Sequence, residues 1–251
     1  MLVLPWHIFD ALIDGLNITL PGGAQLVESA PAGDGEPWRR LVPLYEAVSA
    51  AVGAATTPQI VLSGDCITPL AVLAGVQRRH VDPALVWFDA HGDFHTEQST
   101  TSGYLGGLPL AKAVGRGDMT LPSALGLTAL AEDRVLLVDA RDLDPGEVTA
   151  LATSSVRRST MQGAADALPE GPLHLHIDVD VLDAALLPGL RFPVGDGPDI
   201  SALSAAVREI VTARELVALS IGATWRPADT DRARNDAVFG AILEAASGVV
   251  S

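Results

Sequence analysis

A single-domain, three-layer, doubly wound α/β fold on a mainly parallel sheet is predicted for residues 1–251, and three observations predict it. From about residue 59 onward, short apolar runs alternate with longer amphipathic stretches. The runs are apolar almost throughout, as strands covered on both faces of a parallel sheet are. Unusual polar residues stand directly after the runs, and open parallel sheets bind their ligands outside the carboxyl ends of the strands.

Taken in order, the strand-length runs are Gln59–Ser63, Ala84–Phe88, Arg134–Val138, Leu173–Ile177 and Leu216–Ile221, all rich in Val, Leu and Ile. The helical candidates are Thr68–Arg79, Gly107–Val114, Pro145–Ala152, Ser201–Ala213 and Thr230–Ala246. Asp199 or Ser201 suits the N-cap of the fourth, because their side-chain oxygens can accept from the free N–H groups of a first turn. Pro145 suits the first turn of the third, where no N–H is needed. Residues 21–38 read as a surface loop, and Asp93–Gly106, rich in Thr, Ser and Gly, reads as a second loop leaving a strand. Long loops inside compact domains are usually functional. Trp87, Phe88 and Phe239 read as core.

The chain's 251 residues fit one α/β unit, and 48% hydrophobic residues supply a sizeable core. Its 16 basic against 31 acidic residues give a net charge of −15. That balance argues against nucleic acid or an anionic membrane surface as a partner, since both need a basic face. Lys112 is the one lysine, and the arginines are scattered. Cys66, the single cysteine, cannot form an intramolecular disulfide. The N-terminal residues lack the pattern of a secretory signal, and no long uncharged apolar stretch reads as a membrane span. A soluble cytoplasmic protein is the expectation.

The polar residues after the runs are Ser63-Gly64-Asp65-Cys66, Asp89-Ala90-His91-Gly92-Asp93-Phe94-His95, Arg141-Asp142-Leu143-Asp144 and Asp178-Val179-Asp180-Val181-Leu182-Asp183. Asp89, His91 and Asp93 are spaced by two and would share one face of an extended segment, as would Asp178 and Asp180. Four carboxylates converging in one cleft repel one another by several kcal/mol unless cations lie between them. Two divalent ions would balance them. Oxygen ligands with one imidazole favour Mn²⁺, with Zn²⁺ or Fe²⁺ as alternatives. Either motif alone is weak evidence, because Asp commonly caps helices after strands.

At these residues the chain resembles the ureohydrolase (arginase/agmatinase) family, over roughly residues 58–247. Ser63-Gly64-Asp65-Cys66 is similar to that family's Gly-Gly-Asp-His, and Asp89-Ala90-His91-Gly92-Asp93 matches its Asp-Ala-His-x-Asp. Thr101-Ser102-Gly103-Tyr104-Leu105-Gly106-Gly107 resembles its Thr-Ser-Gly-Asn-x-His-Gly. Arg141-Asp142-Leu143-Asp144-Pro145-Gly146-Glu147 is similar to Arg-Asp-x-Asp-Pro-Gly-Glu, and Asp178–Asp183 matches Asp-x-Asp-x-x-Asp. The resemblance implies an arginase-like fold and a two-manganese site that hydrolyses a guanidine or amidine C–N bond. One metal would take Cys66, Asp89, Asp93 and Asp178, and the other His91, Asp89, Asp178 and Asp180. A water between the metals would be the nucleophile, and Asp93 would hold it by a hydrogen bond. Asp144 falls where arginases contact the substrate α-amino group, and Ser102 where they contact the α-carboxylate.

Four positions depart from the pattern. Cys66 stands where the family has a histidine ligand, and a thiolate is softer, favouring Zn²⁺ or Fe²⁺. Gly106 stands where arginases carry a histidine thought to shuttle protons to the leaving amine. His95 stands where the family often has Asn in substrate recognition; it could contact a carboxylate or relay a proton. Thr224, in Thr224-Trp225-Arg226-Pro227, aligns with a glutamate that holds the guanidinium. Loss of that charge-assisted bond costs about 1.5–3 kcal/mol of recognition, unless another acid such as Asp183 compensates. Members of the family that use Nω-hydroxyarginine resemble this chain in the cysteine and in Gly103–Gly107. His174 and His176, on the face of Asp178, read as supporting or packing residues rather than ligands.

The resulting expectation is a binuclear-metal amidinohydrolase that converts arginine or an Nω-modified arginine, such as Nω-hydroxyarginine, to ornithine plus urea or hydroxyurea. An agmatinase, another amide metallohydrolase and a non-catalytic metal-binding relative are the alternatives. Family members are commonly trimers or hexamers, so a homo-oligomer is the corresponding expectation, although no residue here establishes it.

Overall fold

The computed structural model of the protein describes residues 1–12, 16–226 and 231–247. Its strands are β1 (Leu2–Leu4), β2 (Trp6–His7), β3 (Asp10–Ala11), β4 (Gln25–Leu26), β5 (Gln59–Ser63), β6 (Ala84–Asp89), β7 (Val135–Asp139), β8 (Arg157–Ser159), β9 (Leu173–Asp178) and β10 (Leu216–Gly222). Its helices are α1 (Pro37–Ala54), α2 (Thr68–Arg78), α3 (Pro109–Ala113), α4 (Thr120–Ala124), α5 (Pro145–Ala152), α6 (Ile200–Ala213) and α7 (Arg232–Ala246). Among the described residues, eight strands form one sheet in the order β4-β1-β5-β10-β9-β6-β7-β8, and every neighbouring pair is parallel. The pair β2–β3 is a separate antiparallel ribbon.

Alternation along the strands divides the core in two. Leu85 and Trp87 of β6 join α1, α2 and Leu151 of α5 on one face, while Val86 and Phe88 join α6 and α7 on the other. This is the three-layer, doubly wound arrangement expected from apolar runs covered on both sides. Trp87, Phe88 and Phe239 are buried, as expected. None of the described helices is long and apolar enough to cross a membrane.

All five sequence-predicted runs correspond to strands of this sheet, and four of them extend one residue further, to Asp89, Asp139, Asp178 and Gly222, while Arg134 precedes its strand, which starts at Val135. Gly107–Val114 is shorter than expected, a helix over Pro109–Ala113 preceded by a 3-10 turn at Leu105–Gly107. Asp199 is the N-cap of α6, its side chain accepting from Ala202 N at 2.8 Å. Thr230, the expected start of the last helix, lies outside the described residues.

The expected loop over residues 21–38 needs correction. Gln25 and Leu26 form an edge strand beside β1, although both are exposed. It is recruited by backbone bonds alone, Gln25 N to Met1 O at 3.0 Å and Val27 N to Val3 O at 2.9 Å, so no apolar pattern marks it. Pro37 and Trp38 already belong to α1, capped by the Glu36 carboxylate, which accepts from Trp38 N at 2.9 Å and Arg39 N at 3.0 Å. That helix does carry a sequence signal. Leu41, Leu44, Tyr45, Val48 and Val52 follow helical spacing and are buried.

Close packing of α1 on α2 depends on Gly75, where an added Cβ would lie 2.6 Å from Val52 Cβ and 2.7 Å from Ser49 O. Gly75→Val is therefore expected to destabilise the protein by about 1–3 kcal/mol through overpacking, measured as a lowered urea midpoint at unchanged slope.

Candidate active site

Four neighbouring strands, β5, β10, β9 and β6, carry the polar residues to one crevice. The parallel register sets Ser63 beside Gly222 and Gly222 beside Asp178, and Phe88 beside Ile177, so the carboxyl ends of these strands lie level. The loop after β5 is held by Asp65, fully buried. One of its oxygens accepts from Ile8 N at 3.0 Å and the Tyr45 hydroxyl at 2.8 Å. The other accepts from Ile67 N at 2.9 Å and Thr68 N at 3.2 Å. At Gly64 a Cβ would stand 2.5 Å from Trp6 O, so only glycine allows the β2 ribbon to lie against this turn.

Cys66, Asp89, Asp93, Asp178 and Asp180 are buried together. Cys66 Sγ lies 2.6 Å from Asp178 Oδ2. Donor atoms of Cys66, Asp89 and Asp93 lie within 4.8 Å of one another, as do those of Asp89, His91 and Asp180, so Asp89 belongs to both groups. Asp178 also accepts from Asp180 N at 2.9 Å. Turns produce this convergence rather than the strand pleat, which is a correction to the spacing argument. Asp93 sits at φ 48°, and Asp180 lies in a 3-10 turn, Val179–Val181.

The charges do not balance. Burial pushes His91 down, but Asp180 at 3.1 Å and Asp89 at 3.3 Å outweigh it and raise its pKa to about 12. For Asp89, burial is outweighed by His91 and by the Trp87 indole N–H at 3.0 Å, and its pKa falls to about 2. The other carboxyls go the opposite way. Burial, and then the neighbouring acids, raise Asp93 and Asp178 well above the ordinary range and bring Asp180 to about 7. Burial likewise raises the Cys66 thiol, ahead of Asp178. Asp93 Oδ2 is buried with no hydrogen-bond partner. Clustered carboxylates, one of them with an unpartnered buried oxygen, one thiol and one imidazole are a donor set that fits divalent cations.

The outer part of the cavity carries the expected recognition residues. His95 Nε2 lies 3.1 Å from Asp144 Oδ2 and Nδ1 3.0 Å from Ser99 Oγ. Ser102 lines the same cavity and is exposed at its mouth. Thr224 lines the inner wall and donates to Gly64 O at 3.1 Å; Pro227 lies outside the described residues. Gly106 also lines it. Asp183 does not reach the cavity, which removes it as the acid that offsets Thr224. Its carboxylate accepts from Ala185 N at 2.8 Å and Gly197 N at 3.1 Å, so the turn that follows β9 consumes it.

His174 and His176 stand behind the site rather than in it. Both share Ser220 Oγ, at 2.8 and 3.0 Å. The His176 ring packs on Trp87, centroids 4.1 Å apart. Burial lowers both pKa values, that of His176 to about 3, so the rings are neutral.

Three further residues that line or brace the cavity stand in motifs the sequence shows, but the sequence reasoning assigned them no role. Glu147 is buried at the cavity, accepting from Phe94 N at 2.9 Å and Asp144 N at 3.2 Å, and so fixes the turn that carries Asp93. Its signal was the Asp-Pro-Gly-Glu capping pattern over 144–147. Arg141 pairs with Asp139 and donates to Val181 O and Val194 O, each at 2.9 Å. It thereby clamps the segment after β9 onto β7. Tyr104 lines the cavity, as does Thr224; its segment Gly103–Gly107 stands out in the sequence, but no role is read there for the tyrosine itself.

A model of the family described as Arginase family matches residues 13–242 of this chain. An N(omega)-hydroxy-L-arginine amidinohydrolase from Streptomyces lavendulae is 33% identical over 223 residues, covering 84% of this chain and 79% of that protein. An arginase from Bacillus subtilis is 31% identical over 152 residues, 55% of this chain and 51% of the relative. Among solved structures, the arginase of Bacillus caldovelox superposes with a TM-score of 0.78 at 24% identity, covering 89% of this chain and 83% of that one. The Entamoeba histolytica arginase reaches 0.83 at 18% identity, covering 99% and 97%. These two show the shared fold.

Asp93 provides a test of the charge balance. Its raised pKa means that ionising it costs the folded state stability, in full above the raised value and not at all below about pH 4, the ordinary range. With chelator present, Asp93→Asn is expected to unfold at a higher temperature than the parent at pH 8. That advantage should shrink toward a constant offset as pH falls to about 4, and added Mn²⁺ should reverse the order. An advantage that does not change with pH would contradict the imbalance.

Proposed function

This chain belongs to the arginase family and is a hydrolase of the type that acts on guanidino or amidino groups, and from that premise we propose that it cleaves Nω-hydroxyarginine to ornithine and hydroxyurea at a site holding two divalent ions. The observation that carries the choice of substrate is the inner wall of the cavity. Where a guanidinium would call for a carboxylate, the wall offers the hydroxyls of Thr224 and Tyr104, and Asp183 is engaged elsewhere. A hydroxyl on a guanidine nitrogen withdraws electron density and makes the group less basic. A neutral hydroxyguanidine can exchange hydrogen bonds with two hydroxyls, whereas a cation would be buried there without its counter-charge. The Streptomyces lavendulae relative, named for hydrolysis of this compound, supports the same reading.

Cys66, Asp89, Asp93 and Asp178 would hold one ion, and Asp89, His91, Asp178 and Asp180 the other. Mn²⁺ suits the oxygen-rich set, and Cys66 brings Zn²⁺ or Fe²⁺ into range. When bound, such ions supply Lewis acidity that polarises the guanidine and brings the pKa of a water toward about 7. The protein's own groups do the rest. Asp93, with one carboxylate oxygen unpartnered, accepts a hydrogen bond from the attacking water and directs it at the planar carbon. Asp144, held by His95 Nε2 at 3.1 Å, receives the α-amino group, and Ser102 receives the α-carboxylate. Phe192, edge-on to His91 at 6.4 Å and tilted against Tyr104 at 5.0 Å, closes the wall with apolar surface and keeps bulk water from the reacting carbon.

Thr224→Glu tests the substrate assignment. It restores a carboxylate for a cationic head group, a gain of about 1.5–3 kcal/mol. The ratio of kcat/KM for arginine over Nω-hydroxyarginine should therefore rise roughly 10–100-fold, read from ornithine release. A parent enzyme that prefers arginine, or a ratio unmoved by the substitution, would contradict it.

A further inference from the structure

Tyr104 is held in the cavity wall by contacts unrelated to the carboxylate cluster. A Cβ added at Gly106 would lie 2.4 Å from Tyr104 Cε1, 2.6 Å from Cζ and 2.7 Å from the hydroxyl oxygen. The ring thus fills the volume that a side chain at 106 would need, and the glycine is required by the tyrosine. The hydroxyl lies 3.0 Å from His7 Nε2, and Thr224 lines the same cavity. His7 belongs to β2 and is buried. Its Nδ1 stands 3.9 Å from Asp10 Oδ2, on a side chain that is 81% exposed. Asp65 and Arg191 are the other charged groups that bear on His7.

A row of polar groups therefore runs from the cavity through one phenol and one imidazole toward solvent. The other proton carriers on the wall are committed. His91 is paired with Asp89 and Asp180, His95 with Asp144 and Ser99, and Glu147 with the backbone of Phe94 and Asp144.

We propose that Tyr104, backed by His7, delivers the proton that the leaving nitrogen needs. The inference rests on the amidinohydrolase reading above. As the bond between the guanidine carbon and the leaving nitrogen breaks, its electron pair takes the proton of the Tyr104 hydroxyl. The phenol oxygen takes the proton of His7 Nε2, and His7 Nδ1 takes one from solvent beside Asp10. Both side chains end neutral, with only the imidazole tautomer exchanged, and one proton has passed from solvent to the amine. Burial keeps the phenol protonated, with the neighbouring groups at Cys66 and Asp65 acting in the same direction. Burial likewise favours neutral His7, the form with one nitrogen to donate and one to accept.

The test compares two substrates of the metal-loaded enzyme in single turnover. One is Nω-hydroxyarginine. The other is its analogue with sulfur in place of the leaving nitrogen, because a thiolate departs without a proton. Tyr104→Phe is expected to slow the nitrogen substrate about 100-fold or more and the sulfur substrate by less than about 3-fold. His7→Phe should give the same pattern with smaller amplitude. The double variant Tyr104→Asn/Gly106→His, which puts an imidazole in the vacated volume, should recover at least about 10-fold of the lost rate on the nitrogen substrate. Equal losses on both substrates, or no loss on the nitrogen one, would overturn the relay while leaving the enzyme's assignment intact. A parent enzyme loaded with both metals and inactive on both substrates would overturn the assignment and the relay together.

Discussion

Four carboxyl groups buried in one crevice are the constraint around which this molecule is arranged. A pair of like unit charges about 4 Å apart costs on the order of 4 kcal/mol at the effective dielectric of a protein interior. A single imidazolium, His91, offsets Asp89, while Asp93, Asp178 and Asp180 are left with raised pKa values. Such a cluster persists only where surrounding structure holds it against relaxation. That structure is visible. Asp65 anchors the turn that presents Cys66, Glu147 holds the turn through Asp93, and Arg141 ties the segment after β9 to the end of β7. Each acts on backbone at the end of a different strand, so the register of the sheet becomes the geometry of the site.

The contrast between the two walls of the cavity follows from the same economy of charge. The inner crevice is acidic and fitted to cations, whereas Thr224 and Tyr104 bring hydroxyls to the cavity wall, and Glu147, which also lines it, is held by the backbone of Phe94 and Asp144. On the proposed reading, a guanidinium placed at Thr224 would meet a hydroxyl where a carboxylate is called for. A head group that is neutral before reaction avoids that conflict, and this is why a single substitution at 224 bears on the choice of substrate. Tyr104 lies in the same wall, its ring in the space beside Gly106 and its hydroxyl 3.0 Å from His7.

Much of this was legible in the sequence, for identifiable reasons. Runs buried on both faces have a composition that needs no context, and all five became strands of the parallel sheet. Polar residues at their ends marked the crevice, since a strand terminus cannot place Asp-x-His-x-Asp anywhere else. The exposed edge strand at Gln25–Leu26 left no trace, because its stabilisation is entirely backbone hydrogen bonding. Asp183 sits in the right motif, but the following turn takes its oxygens, which depends on a chain reversal that residue spacing does not encode. Tyr104 and His7 are 97 residues apart, and only the packing of the β2 ribbon over the β5 turn brings them together. Long-range polar pairs of this kind are where reading a single sequence ends.

Metal stoichiometry bears most directly on the central claim that the acidic crevice is a cation site. Elemental analysis of the purified protein, after chelation and reloading with Mn²⁺, Zn²⁺ or Fe²⁺, should find two ions per chain, falling when Asp89 is replaced by Ala because that residue belongs to both donor groups. Retention of no ion, or a content unaffected by Asp89→Ala, would contradict the account.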